Sequence, residues 1–370
     1  MHVSRRARQL LAVSVLACSF AVSAAPPVAT SSPAPSLFER SQYDSVGVAR
    51  STSLWLLAAD GTTRALTPRV AGGFDTAASW SPHAMRIAFQ RGTLASDAGD
   101  RYDIYRMDRD GGRLQQLTTG AGNFVMPAWG PGTRIAFVAR YGQHECLGVV
   151  EANGRNQQDL FCAPAPATLQ QPLWSADGRS LYVGGGHFVG RLGDSWRALA
   201  WKVDASTGAA TQLASVLLDS PRQVEIAPDG SRALLSDVVP NALQLVDFAS
   251  HRVATVAYGY APRWSKDARR IAFSGEVYES SPEFRYYNPL FVMDADGGNV
   301  RQLTRARVDN LAYSAAQWSR DGSRLLLNQR TYLDPSLLIP RYSLRLLDVA
   351  SGRIAALPSG YAAAGAWLER

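Results

Sequence analysis

Lysine is almost missing from this chain: of its 38 basic residues only Lys202 and Lys266 are lysine, and the rest are arginine. The arginines are scattered along the whole length without a Lys/Arg cluster, which excludes a basic nucleic-acid-binding arm. Histidine is scarce as well. Beyond residue 24 there are only His83, His144, His187 and His251, far apart, so no local metal motif exists and no cofactor is expected. No G-x-S-x-G elbow, H-E-x-x-H pair, phosphate-cradling loop or dinucleotide fingerprint occurs. Those absences remove the common short signatures of hydrolases, metalloproteases, NTPases and dehydrogenases. No apolar run approaches the roughly 20 residues of a membrane-spanning helix.

Cysteine is rare too, and its placement is informative. Of three, Cys18 lies in a segment that reads as an export signal, residues 1–24. Arg5, Arg6 and Arg8 form its basic start, residues 10–17 its apolar centre, and Val22-Ser23-Ala24 a small-residue cleavage site. Cleavage after Ala24 removes three arginines and no acid, so the net charge of +7 becomes +4. The alternative is a lipid anchor on Cys18, because Val15-Leu16-Ala17-Cys18 loosely matches a lipidation box; that would make the chain an outer-membrane lipoprotein. The primary expectation is a periplasmic or secreted protein. An oxidising compartment suits the two remaining cysteines. Cys146 and Cys162 each lie eight residues from Gly154, in the turn of the hairpin CLGVVEANGRNQQDLFC, so the hairpin sets them opposite one another as a disulfide pair.

What is abundant is a repeat. A phrase centred on tryptophan recurs as AASWSPHAMRIAF, MPAWGPGTRIAF, QPLWSADGRSLYV, VEIAPDGSRALLS, APRWSKDARRIAF and AAQWSRDGSRLLL, anchored at Trp80, Trp129, Trp174, Ile226, Trp264 and Trp318. A truncated copy, AGAWLER, surrounds Trp367. Hairpins such as DIYRMDRDGGRLQQLT and PLFVMDADGGNVRQLT lie between the anchors. Short alternating strands, Asp-Gly, Asn-Gly or Pro-Gly turns and a period of roughly 40–50 residues describe β-propeller blades. The chain is therefore expected to be all-β, with a Pro/Ala/Ser-rich tether over residues 25–42 and a propeller over 43–370. Six four-strand units start at the anchors. Three further strands precede the first, at residues 45–49, 53–60 and 62–67, and the C-terminal copy supplies the missing innermost strand. Joining both chain ends gives a seventh, composite blade and leaves no open sheet edge. The tryptophans are expected to wedge between blades; Ile226 in one of their places fits packing better than recognition.

In each blade, the connections from strand one to two and from three to four lie on one face and are minimal turns here. The connections from strand two to three lie on the other face and are long at residues 91–103, 185–199, 275–289 and 329–342. Asp108-Arg109-Asp110-Gly111 and Asp294-Ala295-Asp296-Gly297 look like calcium loops but lack the later acid, and a β-turn accounts for both. The long connections carry the aromatics and arginines typical of recognition sites, of which His187, Trp196, Arg285, Tyr286, Tyr287 and Arg341 are the candidate binding residues.

The phrase W-S-P/x-D-G-x-x-I-A-F followed by I-Y-x-M-D-x-D-G-G-x-x-x-x-L-T resembles the WD-like repeat of the TolB-like β-propeller group, most closely at residues 80–118 and 264–304. The resemblance covers nearly everything after Val46. That group includes a periplasmic Tol–Pal component, gating propellers of prolyl-oligopeptidase-type enzymes and oligogalacturonate lyases. The chain departs from the Tol component, which has an α/β domain before six blades; here a short tether precedes seven. No hydrolase domain follows the repeats, and the metal-holding histidines of the lyases do not map onto this sequence. The resulting expectation is a non-enzymatic scaffold that binds a protein or peptide partner of the cell envelope through the long-loop face. The alternative is a carbohydrate lyase or hydrolase built on His187 with Asp100, Asp194 or Glu279.

Overall fold

The computed structural model describes residues 36–43, 49–58, 62–93, 101–190, 195–219, 221–237, 241–279, 285–304, 311–332, 340–357 and 362–367. The export signal, Cys18 and the first part of the tether lie outside them. Among the described residues antiparallel pairing groups the strands into seven units, four-stranded except for the third, whose first strand is divided into Thr168–Leu169 and Leu173–Trp174; the seventh and first units also meet at one parallel pair, Thr52 and Phe74. Blade 1 consists of Gly73–Trp80, Arg86–Thr93, Arg101–Asp108 and Gln115–Gln116. Blades 2 to 6 repeat this order, each opening on its anchor strand: Asn123–Trp129, Leu173–Trp174, Pro221–Ile226, Tyr260–Trp264 and Leu311–Trp318. Blade 7 is composite: the C-terminal strand Ala362–Trp367 pairs with Ser36–Tyr43, which pairs with Ala49–Leu57 and then Thr63–Ala65. No helix among the described residues is long and apolar enough to cross a membrane.

The core sits between blades, not within them. Seven buried clusters each join one blade to the next, and the series closes on itself. Leu37 and Leu54 of blade 7 pack on Ile87 and Phe89 of blade 1, and Ala88 and Ile104 of blade 1 on Phe137 of blade 2. Val138 packs towards Trp174, Ala200 towards Leu235, Leu234 towards Trp264, and Ala272 towards Trp318. Leu326 of blade 6 returns to Phe38 of blade 7. Alternation within each strand sends successive side chains into the two neighbouring interfaces, which is why the RIAF-type strands are apolar throughout. Phe89, Phe137 and Phe273 are almost fully buried. Each contributes on the order of 1.5–3 kcal/mol by burial.

The polar letters of the repeat act locally. In the turns after Trp174, Trp264 and Trp318, Ser175, Ser265 and Ser319 donate to Asp177, Asp267 and Asp321 at 2.6, 2.6 and 2.7 Å. The same hydroxyls accept the first amide of the second strand at 2.9, 2.8 and 2.9 Å. The threonine of each Leu-Thr ending is buried and caps the third strand. Thr67, Thr118 and Thr304 accept the Leu54, Ile104 and Leu290 amides, each at 2.9 Å.

Two expectations need correction. The tether does not reach residue 42, because Ser36–Tyr43 is a blade-7 strand; the strand expected at 45–49 falls mostly outside the described residues, and only Ala49 begins the next one. Leu37 and Phe38 are both buried, on opposite faces, so this strand shows no polar alternation to set it apart from the tether composition. The described residues of the long connections, moreover, are largely ladder. Ser180–Val189 pairs with Ser195–Asp204 out to Val189 and Ser195. Gly186, with φ of +154°, lies where a Cβ would collide with the Arg197 carbonyl and the Trp196 indole, so glycine here marks close packing and not a loop.

Candidate functional site

The two faces of the ring differ as the repeat pattern implies. On one, turns close with tight hydrogen bonds. Asp110 and Asp296 each accept the amide two residues on, from Gly112 and Gly298 at 2.8 Å, so both aspartate-rich sequences are β-turns. His83 and His251 lie in turns of this face. On the other, hairpins project. The blade-3 hairpin sets His187 opposite Arg197 and Phe188 opposite Trp196. Phe188 meets Trp196 edge-on at 4.8 Å between ring centroids, yet is 64% exposed. Trp196 rests inward against the cluster shared by blades 3 and 4. Aromatic exposure at the tip, with a rigid aromatic beneath it, is what a recognition surface needs: little conformational entropy is lost on binding. The His187 Nδ1 atom is buried without a hydrogen-bond partner.

Blade 5 carries an additional ladder on the same face, Val277–Glu279 with Arg285–Tyr287, which pairs Tyr278 with Tyr286. Asn288, 2% exposed, anchors its base by donating to the Gly275 carbonyl at 3.1 Å. The Asn288 carbonyl accepts the Tyr313 amide of blade 6 at 3.3 Å. Arg341 stands opposite Thr331 in the blade-6 hairpin. The side chains of Arg285, Tyr286, Tyr287 and Arg341 lie outside the described residues. The six candidates thus fall into two groups: His187 and Trp196 on blade 3, and the other four on the adjacent blades 5 and 6, with blade 4 between.

Sequence reasoning missed a polar cluster between blades 7 and 1. Asp75, 5% exposed, is held bidentately by Arg91 at 2.6 and 2.9 Å. Hydrogen bonding to Asp75 raises the Arg91 pKa against the opposing effect of burial. The guanidinium also stacks on Phe89 and Tyr105 at 5.3 and 5.2 Å. Beside the pair is a cavity of about 120 Å³ bordered by Thr52, Pro68 and Gly92. Glu39 accepts the Ala77 amide at 2.8 Å, where a bulge with φ of +52° frees that N–H; Gln90 accepts Met126 at 2.8 Å at an equivalent bulge, φ +57°. Burial pushes the Glu39 carboxyl up to about 7, opposed by the Ala77 N–H. The sequence signal was Phe38-Glu39 standing in register with Phe89-Gln90, hidden by the misplaced strand. Asp75 is neutralised by Arg91 and Glu39 is engaged by backbone, so both serve the interface before any chemistry.

The acids of the alternative enzymatic reading are not brought into view: Asp100 and Asp194 lie outside the described residues, as does the Glu279 side chain. Among the described residues, the grouping of three potential metal donors is Cys146, Asp159 and Cys162. There the two sulfurs are joined as the expected disulfide, with the cysteines directly paired across the ladder.

No protein-family model matches the chain, and no curated protein matches it in sequence. Among solved structures it is similar to an oligogalacturonate lyase in complex with manganese, at 14% identity over 86% of this chain and 84% of that one, with a TM-score of 0.57. It is also similar to the β-propeller domain of the Trilobed protease from Pyrococcus furiosus, at 15% identity over 78% and 84%, with a TM-score of 0.53. The likeness to TolB from Acinetobacter baumannii is weaker, at 16% identity over 90% and 82%, with a TM-score of 0.48. Identities this low establish the β-propeller fold alone.

Proposed function

We infer that this chain is an exported binding scaffold that engages a protein or peptide partner of the cell envelope through its projecting hairpins and the adjacent channel mouth. The observation that carries the reading is the asymmetry of the two faces. One is closed by short hydrogen-bonded turns; the other presents the blade-3 hairpin, with Phe188 64% exposed over Trp196, and the extra blade-5 ladder. Insertions gathered on one face of a repeat array mark the face that works. The Cys146–Cys162 disulfide suits an oxidising compartment, in keeping with export. The test is affinity capture from cell-envelope extract, comparing the full chain with Tyr286→Ala/Tyr287→Ala and with Phe188→Ala. A saturable partner that the variants release, with unchanged melting, is the expected result. Equal capture by all three chains would sink the assignment to this face.

A second reading, a carbohydrate-cleaving propeller, is favoured by the likeness in fold to a lyase that holds manganese and by the unpartnered His187 Nδ1. Incubation with oligogalacturonate and manganese, following the ultraviolet absorbance of unsaturated product, separates the two. Turnover abolished by His187→Ala would establish it; no product would remove it.

A further inference from the structure

The turn between the third and fourth strands is built alike in all six anchor-led blades. An acid ends the third strand, and the next residue donates its amide to the carbonyl of a residue in the blade's first turn. In blades 2 to 6 that next residue is Ala152, Ala205, Phe248, Ala295 and Val349, donating to Thr133, Arg179, Ser231, Arg269 and Ser323. All five are apolar and they pack inward. Blade 1 has Arg109 there, making the same bond to Met85 at 2.9 Å. The packing role of the position is therefore abandoned in one copy while its backbone geometry is kept. Divergence inside an otherwise uniform repeat calls for a reason outside the packing.

Arg109 opens into a cleft of about 500 Å³ on the compact face, bordered by Arg64, Met85, Arg86, Asp108, Asp110 and Arg113. Four arginines face two aspartates, a surplus of two positive charges. The acids are already occupied. Asp108 is shared by Arg113, in a short ion pair, and Arg86 at 3.9 Å. Asp110 is spent on the Gly112 amide at 2.8 Å. Arg64 reaches across from blade 7 and donates to the backbone carbonyls of Asp110 and Arg109 at 2.6 and 3.4 Å, which fixes its guanidinium beside the cleft. The Arg109 side chain makes no hydrogen bond or ion pair among the described residues. Behind the wall, Arg106 has a lowered pKa, first from burial and then from the like charges of Arg86 and Arg113, with Asp108 opposing. Positive charge is thus concentrated here beyond what the local acids balance.

We propose that this cleft binds a phosphate-bearing ligand, the group being held by Arg109 and Arg113 with Arg64 and Arg86 at its sides. Guanidinium forks match the oxygens of a phosphate bidentately, and an anionic phosphate, monoester or diester, answers the surplus of positive charge. The volume falls within the range of about 300–1,000 Å³ typical of small-molecule sites, larger than a bare ion requires. The site lies on the face opposite the projecting hairpins and is independent of their function.

The repeat itself supplies the test substitutions. Arg109→Ala installs the residue of blades 2, 3 and 5, and Arg113→Asn installs the counterpart of Asn299 in the blade-5 turn, so both are compatible with the fold. The full chain is titrated calorimetrically with glycerol 3-phosphate and with inorganic phosphate, and co-sedimented with phosphatidylglycerol or phosphatidylcholine vesicles. The expected result is saturable binding to a phosphate probe, weakened at least tenfold in Arg109→Ala/Arg113→Asn with the melting temperature kept. Binding of the soluble ester identifies a free phosphorylated compound as the source; binding of phosphatidylglycerol vesicles alone identifies a lipid headgroup. No saturable binding to any probe, or binding that the double variant fully retains, overturns the proposal.

Discussion

The indole N–H of Trp318 donates to the backbone carbonyl of Arg263 at 2.9 Å, and Arg263 is the residue just before the anchor of the preceding blade. The relationship recurs. Trp264 donates to Glu225, before Ile226, at 3.1 Å, and Trp174 donates to Ala128, before Trp129, at 2.9 Å. An arginine opening the second strand of the preceding blade covers the ring: Arg270 lies 5.0 Å over Trp318, having crossed to donate to the Gly322 carbonyl at 2.7 Å, and Arg134 lies 5.3 Å over Trp174. Tryptophan repeats because a single side chain fills the interface and hydrogen-bonds the neighbour's innermost strand. The series is incomplete at Trp129, which donates to Gly132 in its own turn at 3.2 Å, and at Trp80, whose buried Nε1 lacks a partner.

Truncation of Trp318, 1% exposed, removes both packing and the bond. Trp318→Ala should destabilise the ring by about 3–5 kcal/mol. Trp318→Phe keeps most of the packing but leaves the Arg263 carbonyl without its donor, at a cost of about 1–3 kcal/mol. Denaturant midpoints at constant slope measure both; a Phe variant as stable as the parent would show the indole bond to be dispensable.

The repeat made the fold legible because each of its letters acts separately and locally. The anchor fills an interface, the Ser-Asp turn orders a hairpin and the Leu-Thr ending caps a strand. The closure was legible in outline, since an unpaired set of strands at one end and a lone anchor at the other require each other. Its register was not, because Leu37 and Phe38 are buried on both faces and show no period-two pattern. The Asp75–Arg91 pair was invisible for a related reason: the two residues face each other only in the observed register of blade 1. Glycines misled where Gly186 reads as loop but is strand. Arg109 stands out only after the blades are aligned by their hydrogen bonds.

The disulfide joins residues 16 apart in blade 2. Closing a loop of that size restrains the unfolded chain by about 3 kcal/mol. Cys146→Ser/Cys162→Ser should lower stability by that order without altering the far blades. The check is the melting temperature of the parent with and without reductant, alongside the double variant. A variant that melts with the oxidised parent would count against a stabilising role.

Glu39 gives stability a pH dependence. Its carboxyl titrates near 4.5 when unfolded and is pushed up to about 7 by burial when folded. A raised folded pKa means the protonated acid suits the native site better. Its contribution is therefore complete below about 4.5 and is lost as pH rises through about 7. Gln90 holds the Met126 amide in the same way with no charge, so Glu39→Gln should fold normally and remove this dependence. Because Glu39 retains some solvent access, the gain at pH 8 is discounted to about 1–2 kcal/mol. Parent and variant stabilities compared from pH 4 to pH 8 should diverge upwards; parallel profiles would remove Glu39 as the cause.

Phe188 and Trp196 touch but should respond oppositely to truncation. Phe188 is 64% exposed, so replacing it by alanine forfeits little burial and should change stability by less than about 0.5 kcal/mol. Trp196 is packed over Gly186 and into the blade-3/blade-4 cluster, so Trp196→Ala opens a void and should cost about 2–4 kcal/mol. In capture from envelope extract, Phe188→Ala should release the partner while melting as the parent does. Trp196→Ala should show both losses, and the part of its binding defect that outlasts measurement well below its melting temperature is the part owed to positioning Phe188. If Phe188→Ala binds normally and only Trp196→Ala fails, the hairpin tip is structural and the recognition surface must be sought on blades 5 and 6.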